Sequence, residues 1–148
     1  MKLNKMISVS IAILSTSTLT NPCFASSDTH HKHHEQKNAI NEIKLNDGKR
    51  WKTDEPLRKG LQEIHDILKS SADNKDKKID AQIDFIVSNC KLPENADEQL
   101  HFILAEIIEG KTMLSDTKNS NKNKEGIEKI SKALDAYLEY FEHPNWNR

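Results

Sequence analysis

Apolar residues recur at steps of three and four in four successive stretches of the chain, and this spacing constrains the fold more than any other feature. Leu57, Leu61, Ile64 and Leu68 form the first set, and Ile79, Ile83, Ile86 and Cys90 the second. Leu100, Ile103, Leu104, Ile107 and Ile108 make a broader third face; Ile127, Ile130, Leu134, Tyr137 and Phe141 make the fourth. Side chains three and four apart share one side of an α-helix, so each set is a stripe that has to be buried. No stretch alternates with period two over the length of a strand. Four glycines and four prolines in 148 residues are too few for a turn-rich sandwich or barrel.

The boundaries follow from local chemistry. Thr53-Asp54-Glu55-Pro56 joins a capping side chain, an early acid and a first-turn proline, the signature of a helix start. The first helix then ends in the polar stretch 70–74. The second is expected over about 75–91, with Cys90 on its core stripe in the last turn and Pro93 stopping the pattern. The third runs from Pro93-Glu94 to about Leu114, with His101 bordering its apolar face. Residues 115–124 read as a polar loop, and the fourth helix runs from about Lys124 to Phe141, where His143-Pro144 ends it. Residues 39–49 read as a connector that docks through Ile40, Ile43 and Leu45. Short connections favour antiparallel neighbours, so the expected fold is an all-α, up-down-up-down four-helix bundle over residues 39–148.

The first 25 residues follow a secretory pattern. Lys2 and Lys5 precede an apolar run from Ile7 to Leu19, and Cys23-Phe24-Ala25 offers small residues for cleavage after Ala25. That run is too short to span a membrane. Acylation at Cys23 is the competing reading, but Asn21-Pro22 is a poor approach to such a site. The lysine-led signal with its compact apolar core looks bacterial, so the expected location is the periplasm, with no membrane span after cleavage. Cleavage would remove Cys23 and leave Cys90 alone, with no internal disulfide. A formal net charge of -1 gives no electrostatic reason to expect nucleic acid.

Three groups of residues carry candidate chemistry. In an up-down order Cys90, His143, Trp51 and Trp146 fall at one end, with His101 about 10 Å up its helix at 1.5 Å per residue. One thiolate and two imidazoles suit copper or zinc. The bland reading makes Cys90 a small core residue, His101 a flanking histidine and His143 a cation at a helix C-terminus. Residues 26–38 form a polar arm, expected to be disordered without a ligand. Four of its imidazoles, His30, His31, His33 and His34, occupy five positions, a composition that wraps Ni(II), Cu(II) or Zn(II). Its competing reading is a solvated linker. Finally, His65 touches the first stripe, and Met113 sits late in the third helix. Such a pair could hold b-type haem as axial ligands; the competing and simpler reading is a partly exposed histidine and a gap-filling methionine. No C-x-x-C-H is present for covalent attachment.

The stretch Leu45-Asn46-Asp47-Gly48-Lys49-Arg50-Trp51-Lys52-Thr53-Asp54, followed by Pro56-Leu57-Arg58, resembles the opening of a family of small exported proteobacterial helical proteins. Asn89-Cys90-Lys91-Leu92 with Ala96-Asp97 and Leu100-His101 is similar to its central motif, and Tyr140-Phe141-Glu142-His143-Pro144 with Trp146 to its C-terminal one. The resemblance covers about 45–146. It implies an exported bundle of unassigned activity and puts Cys90, His101 and His143 at motif positions. Leu61 stands where family members often carry Met, which removes one soft ligand.

The leading expectation is a non-enzymatic periplasmic binder of copper or zinc, with Cys90, His101 and His143 as ligands and the arm as a loose collector. A b-type haem carrier using His65 and Met113 is the first alternative. A ligand-free interaction or stress-response module with a periplasmic protein partner is the second. No G-x-S-x-G, P-loop, or nucleophile with a nearby base points to an enzyme.

Overall fold

The computed structural model describes residues 39–116 and 119–147. These residues form a short 3₁₀ turn, Ala39–Glu42, and four α-helices: α1 Glu55–Lys69, α2 Lys75–Asn89, α3 Glu94–Leu114 and α4 Ser120–Tyr140. Among the described residues there is no strand; two isolated bridges, Asn46 with Lys49 and Trp51 with Phe141, are the only extended pairings. None of these helices is long and apolar enough to cross a membrane. The expected signal peptide and histidine arm lie outside the described residues.

The stripes meet as the spacing predicts. Leu57, Leu61, Ile64, Ile79, Ile103, Ile107, Ile130, Tyr137 and Phe141 are fully buried in one continuous core. Each such side chain contributes roughly 1.5–3 kcal/mol of burial free energy, so the stripes dominate the fold's stability. α3 packs most extensively on α4, and α1 on α2, with α2 against α3 and α1 against α4 completing the enclosure. At one end, α1 begins beside the end of α2, where the Lys91 N–H donates to Asp54. Away from it, α2 begins beside the end of α3: the Ser115 hydroxyl donates to Asp76 at 3.2 Å, and Lys111 pairs with Asp80 at 2.6 Å.

The connector folds back on itself before α1. Asp47 (φ 49°) and Gly48 (φ 77°) are both left-handed, the requirement of a tight two-residue reversal, and Asn46 and Lys49 exchange backbone hydrogen bonds at 2.8 and 2.9 Å across it. This reversal returns Trp51 to the connector, where its indole N–H donates to the Lys44 carbonyl at 2.7 Å.

Several boundaries differ from expectation. α4 starts at Ser120 rather than Lys124, because the Asn119 side chain accepts from the Asn121 and Lys122 N–H groups and caps a turn that has no apolar pattern. α2 stops at Asn89, so Cys90 is the residue that caps its C-terminus, half-buried, rather than a member of the last turn's stripe. Of the connector residues, Ile43 is buried and Ile40 packs on the core, but Leu45 is 42% exposed. Ile108 is 44% exposed, whereas Glu106, two positions earlier, is buried. The 3₁₀ turn covers Glu106, which accepts from the Ala39 N–H at 3.0 Å and from Lys129 at 2.8 Å. A buried carboxylate persists only with such partners.

Candidate functional site

The chemistry-bearing residues gather where the chain enters α1 and leaves α4. Asp54 caps α1: one carboxylate oxygen accepts from the Leu57 N–H at 3.0 Å, and the other from the Lys91 N–H at 2.6 Å. Next to it, the Arg58 guanidinium donates to the Thr53 carbonyl and hydroxyl at 2.6 and 3.1 Å, and the Thr53 hydroxyl donates to the Glu142 carbonyl at 2.6 Å. Backbone bonds of 2.8 Å from the Trp51 N–H to the Tyr140 carbonyl, and from the Glu142 N–H to the Trp51 carbonyl, hold the end of α4 alongside.

Inside this junction the buried Tyr137 stacks on Phe141 with ring centres 5.5 Å apart, and its hydroxyl lies 3.0 Å from His143 Nδ1. Burial holds the phenol proton well above its usual range, although hydrogen bonding with Thr53 and the Arg58 charge oppose that shift. Burial, then the charge of Arg58, lowers the pKa of His143. The neutral ring and the Tyr137 hydroxyl share a hydrogen bond through Nδ1.

Cys90 faces Asp54. Burial first, then the charge and hydrogen bond of Asp54 and the charge of Asp97, push its thiol up to about 12. At neutral pH it is a thiol beside the Asp54 carboxylate. His101 projects away: its side chain is 71% exposed, and its Nδ1 lies 2.8 Å from the Asp97 carbonyl. Thus Cys90, His101 and His143 are each engaged with a different partner. Among the described residues, no group of three or more His, Cys, Asp or Glu side chains is disposed to hold a metal ion.

His65 lies in the later half of α1, and its cleft is not the one that Met113 lines. Its ring lies 4.9 Å from Trp146, which the C-terminal segment lays back along α1 and α4. Asn145 is left-handed (φ 66°), and Asn147 exchanges two hydrogen bonds with the Gln62 side chain, at 3.1 and 3.2 Å. His143 packs edge-on against the same indole with ring centres 4.8 Å apart, so Trp146 touches two imidazoles. Met113 instead lines a cleft with Thr112, Asp116, Lys122 and Glu125, separate from the cleft of His65. His30, His31, His33 and His34 lie outside the described residues.

Sequence reading found Asp54 only as a cap and Tyr137 only as a stripe residue. It named Thr53 and Arg58 only as members of motifs, and it missed Gln62 and Glu106 altogether. Their partners are far away in the chain, and only the helix-start motif around Asp54 gave a local signal. No protein-family model, curated protein or solved structure matches this chain.

Proposed function

We propose that this is an exported, non-enzymatic protein that binds copper or zinc through the histidine arm, with the helical domain as its scaffold. The observation that carries the reading is the run His30, His31, His33 and His34, four imidazoles in five positions behind a secretory-type leader. The state of Cys90 supports assigning the metal to the arm rather than to the domain. A thiol with a pKa of about 12 would have to lose its proton beside the Asp54 carboxylate before it could ligate. The periplasm is the location that fits the leader, and the small exported proteobacterial helical family is the grouping that fits the motifs. An up-down-up-down order of the four helices is supported by the juxtaposition of Asp54 with Lys91 at one end and of Asp76 with Ser115 away from it.

Calorimetric titration of the chain beginning at Ser26 with Zn(II) and Cu(II) tests this. Replacing the four arm histidines by alanine should abolish binding, and Cys90→Ala should leave it unchanged. Unaltered binding by the four-alanine chain would overturn the assignment.

A further inference from the structure

The cleft between α1 and α4 is built differently from the junction described above. His65, Ser131, Leu134, Asp135, Leu138 and Trp146 line a space of about 240 Å³. Leu134 and Leu138 supply an apolar floor. Trp146, still partly exposed, forms a wall set before any ligand arrives: the paired hydrogen bonds of Gln62 and Asn147 pin the segment, and the rings of His65 and His143 pack against the indole. Asp135 lines the cleft, is exposed, and has no ion-pair partner among the described residues. Lys132, three positions earlier on α4, is not among the lining residues. A second carboxylate, Asp66, stands 3.4 Å from the His65 ring.

A carboxylate, an indole face and a hydroxyl around an apolar floor complement one kind of ligand. The carboxylate attracts a cation and disfavours an anion, the face of an indole binds ammonium groups, and the leucines accept a short hydrocarbon chain. We propose that this cleft binds a small organic ammonium ion, with the nitrogen between Asp135 and Trp146 and the alkyl part on Leu134 and Leu138. The proposal is independent of the metal reading, since none of these residues belongs to the arm.

The test is a titration of the chain from Ser26 with n-butylammonium chloride at constant ionic strength, followed by NMR on the Trp146 indole N–H and the His65 ring. Saturable shifts of both signals with a roughly millimolar Kd are expected. Asp135→Asn should weaken binding about threefold to fivefold, while Asp84→Asn, a carboxylate on α2 outside the cleft, leaves it unchanged. n-Butanol and butyrate should produce no comparable saturation. Equal binding of butanol, indifference to Asp135→Asn, or no saturation by ~100 mM ammonium would each overturn the proposal.

Discussion

The carboxylate of Asp54 accepts from the backbone N–H of Lys91 at 2.6 Å while it caps α1, so a single side chain fastens the start of one helix to the end of another. Losing it removes a helix cap, worth about 1 kcal/mol, and a charge-assisted bond, worth about 1.5–3 kcal/mol. Asp54→Ala should therefore destabilise the domain by about 2–4 kcal/mol in urea denaturation. Asp54→Asn, which can still cap, should cost about half as much. A loss below about 0.5 kcal/mol for the alanine variant would show that the link is incidental.

Two groups at this junction make stability depend on pH in different windows. Burial opposes the charge on Asp54, but the N–H groups of Lys91 and Leu57, helped by Cys90 and Arg58, hold its pKa below the usual carboxylate range. Its contribution is complete above the unfolded value of about 3.9 and is lost as pH falls through the folded one. His143 is also depressed, by burial and then by Arg58, so its contribution is complete above 6.5 and is lost as pH falls through its folded value. Thermal midpoints should decline first below 6.5 and again below about 4. His143→Gln should remove the first decline and Asp54→Asn the second.

The thiol of Cys90 should be inert. A shift from the ordinary 9.0 to about 12 lowers the thiolate fraction at neutral pH roughly a thousandfold. Iodoacetamide should modify the folded chain far more slowly than the urea-unfolded one, and Asp54→Asn should accelerate the reaction. A folded-state rate equal to that of the unfolded chain would contradict this view of the site.

The crossing of α3 and α4 depends on Gly110 and Gly126. A Cβ at Gly110 would lie 2.8 Å from the Gly126 carbonyl oxygen, and one at Gly126 would lie 2.6 Å from that of Gly110. Backbone oxygens inside helices cannot step aside, so the helices would have to separate. Alanine at either position should destabilise by about 2–3 kcal/mol, despite a gain of about 1 kcal/mol in helix propensity. Stability equal to or above that of the natural chain would show that the crossing can relax.

Elements whose information is local were legible in the sequence. The stripes of α1 and α2, and the Asp54-Pro56 start, follow from spacing and capping within a few residues. The start of α4 was not legible, because its first turn, Ser120 to Asn123, has no apolar residue and is fixed by the Asn119 cap. Nothing near Glu106 in the sequence marks it for burial, which its distant partners Ala39 and Lys129 allow. The pairing of His65 with Trp146 joins positions 81 apart by numbering (146 − 65) and depends on the left-handed turn at Asn145, which helical periodicity cannot convey. The expected grouping of Cys90, His101 and His143 relied on helix order alone. Order sets the end at which a residue falls, but not the direction in which its side chain points.

The central claim, metal bound by the arm, is tested most directly by elemental analysis of the untagged protein purified from its native cells. It predicts near-stoichiometric copper or zinc in the natural chain, and none in a chain with His30, His31, His33 and His34 replaced by alanine. Equal metal content in the two chains, or none in either, would contradict it.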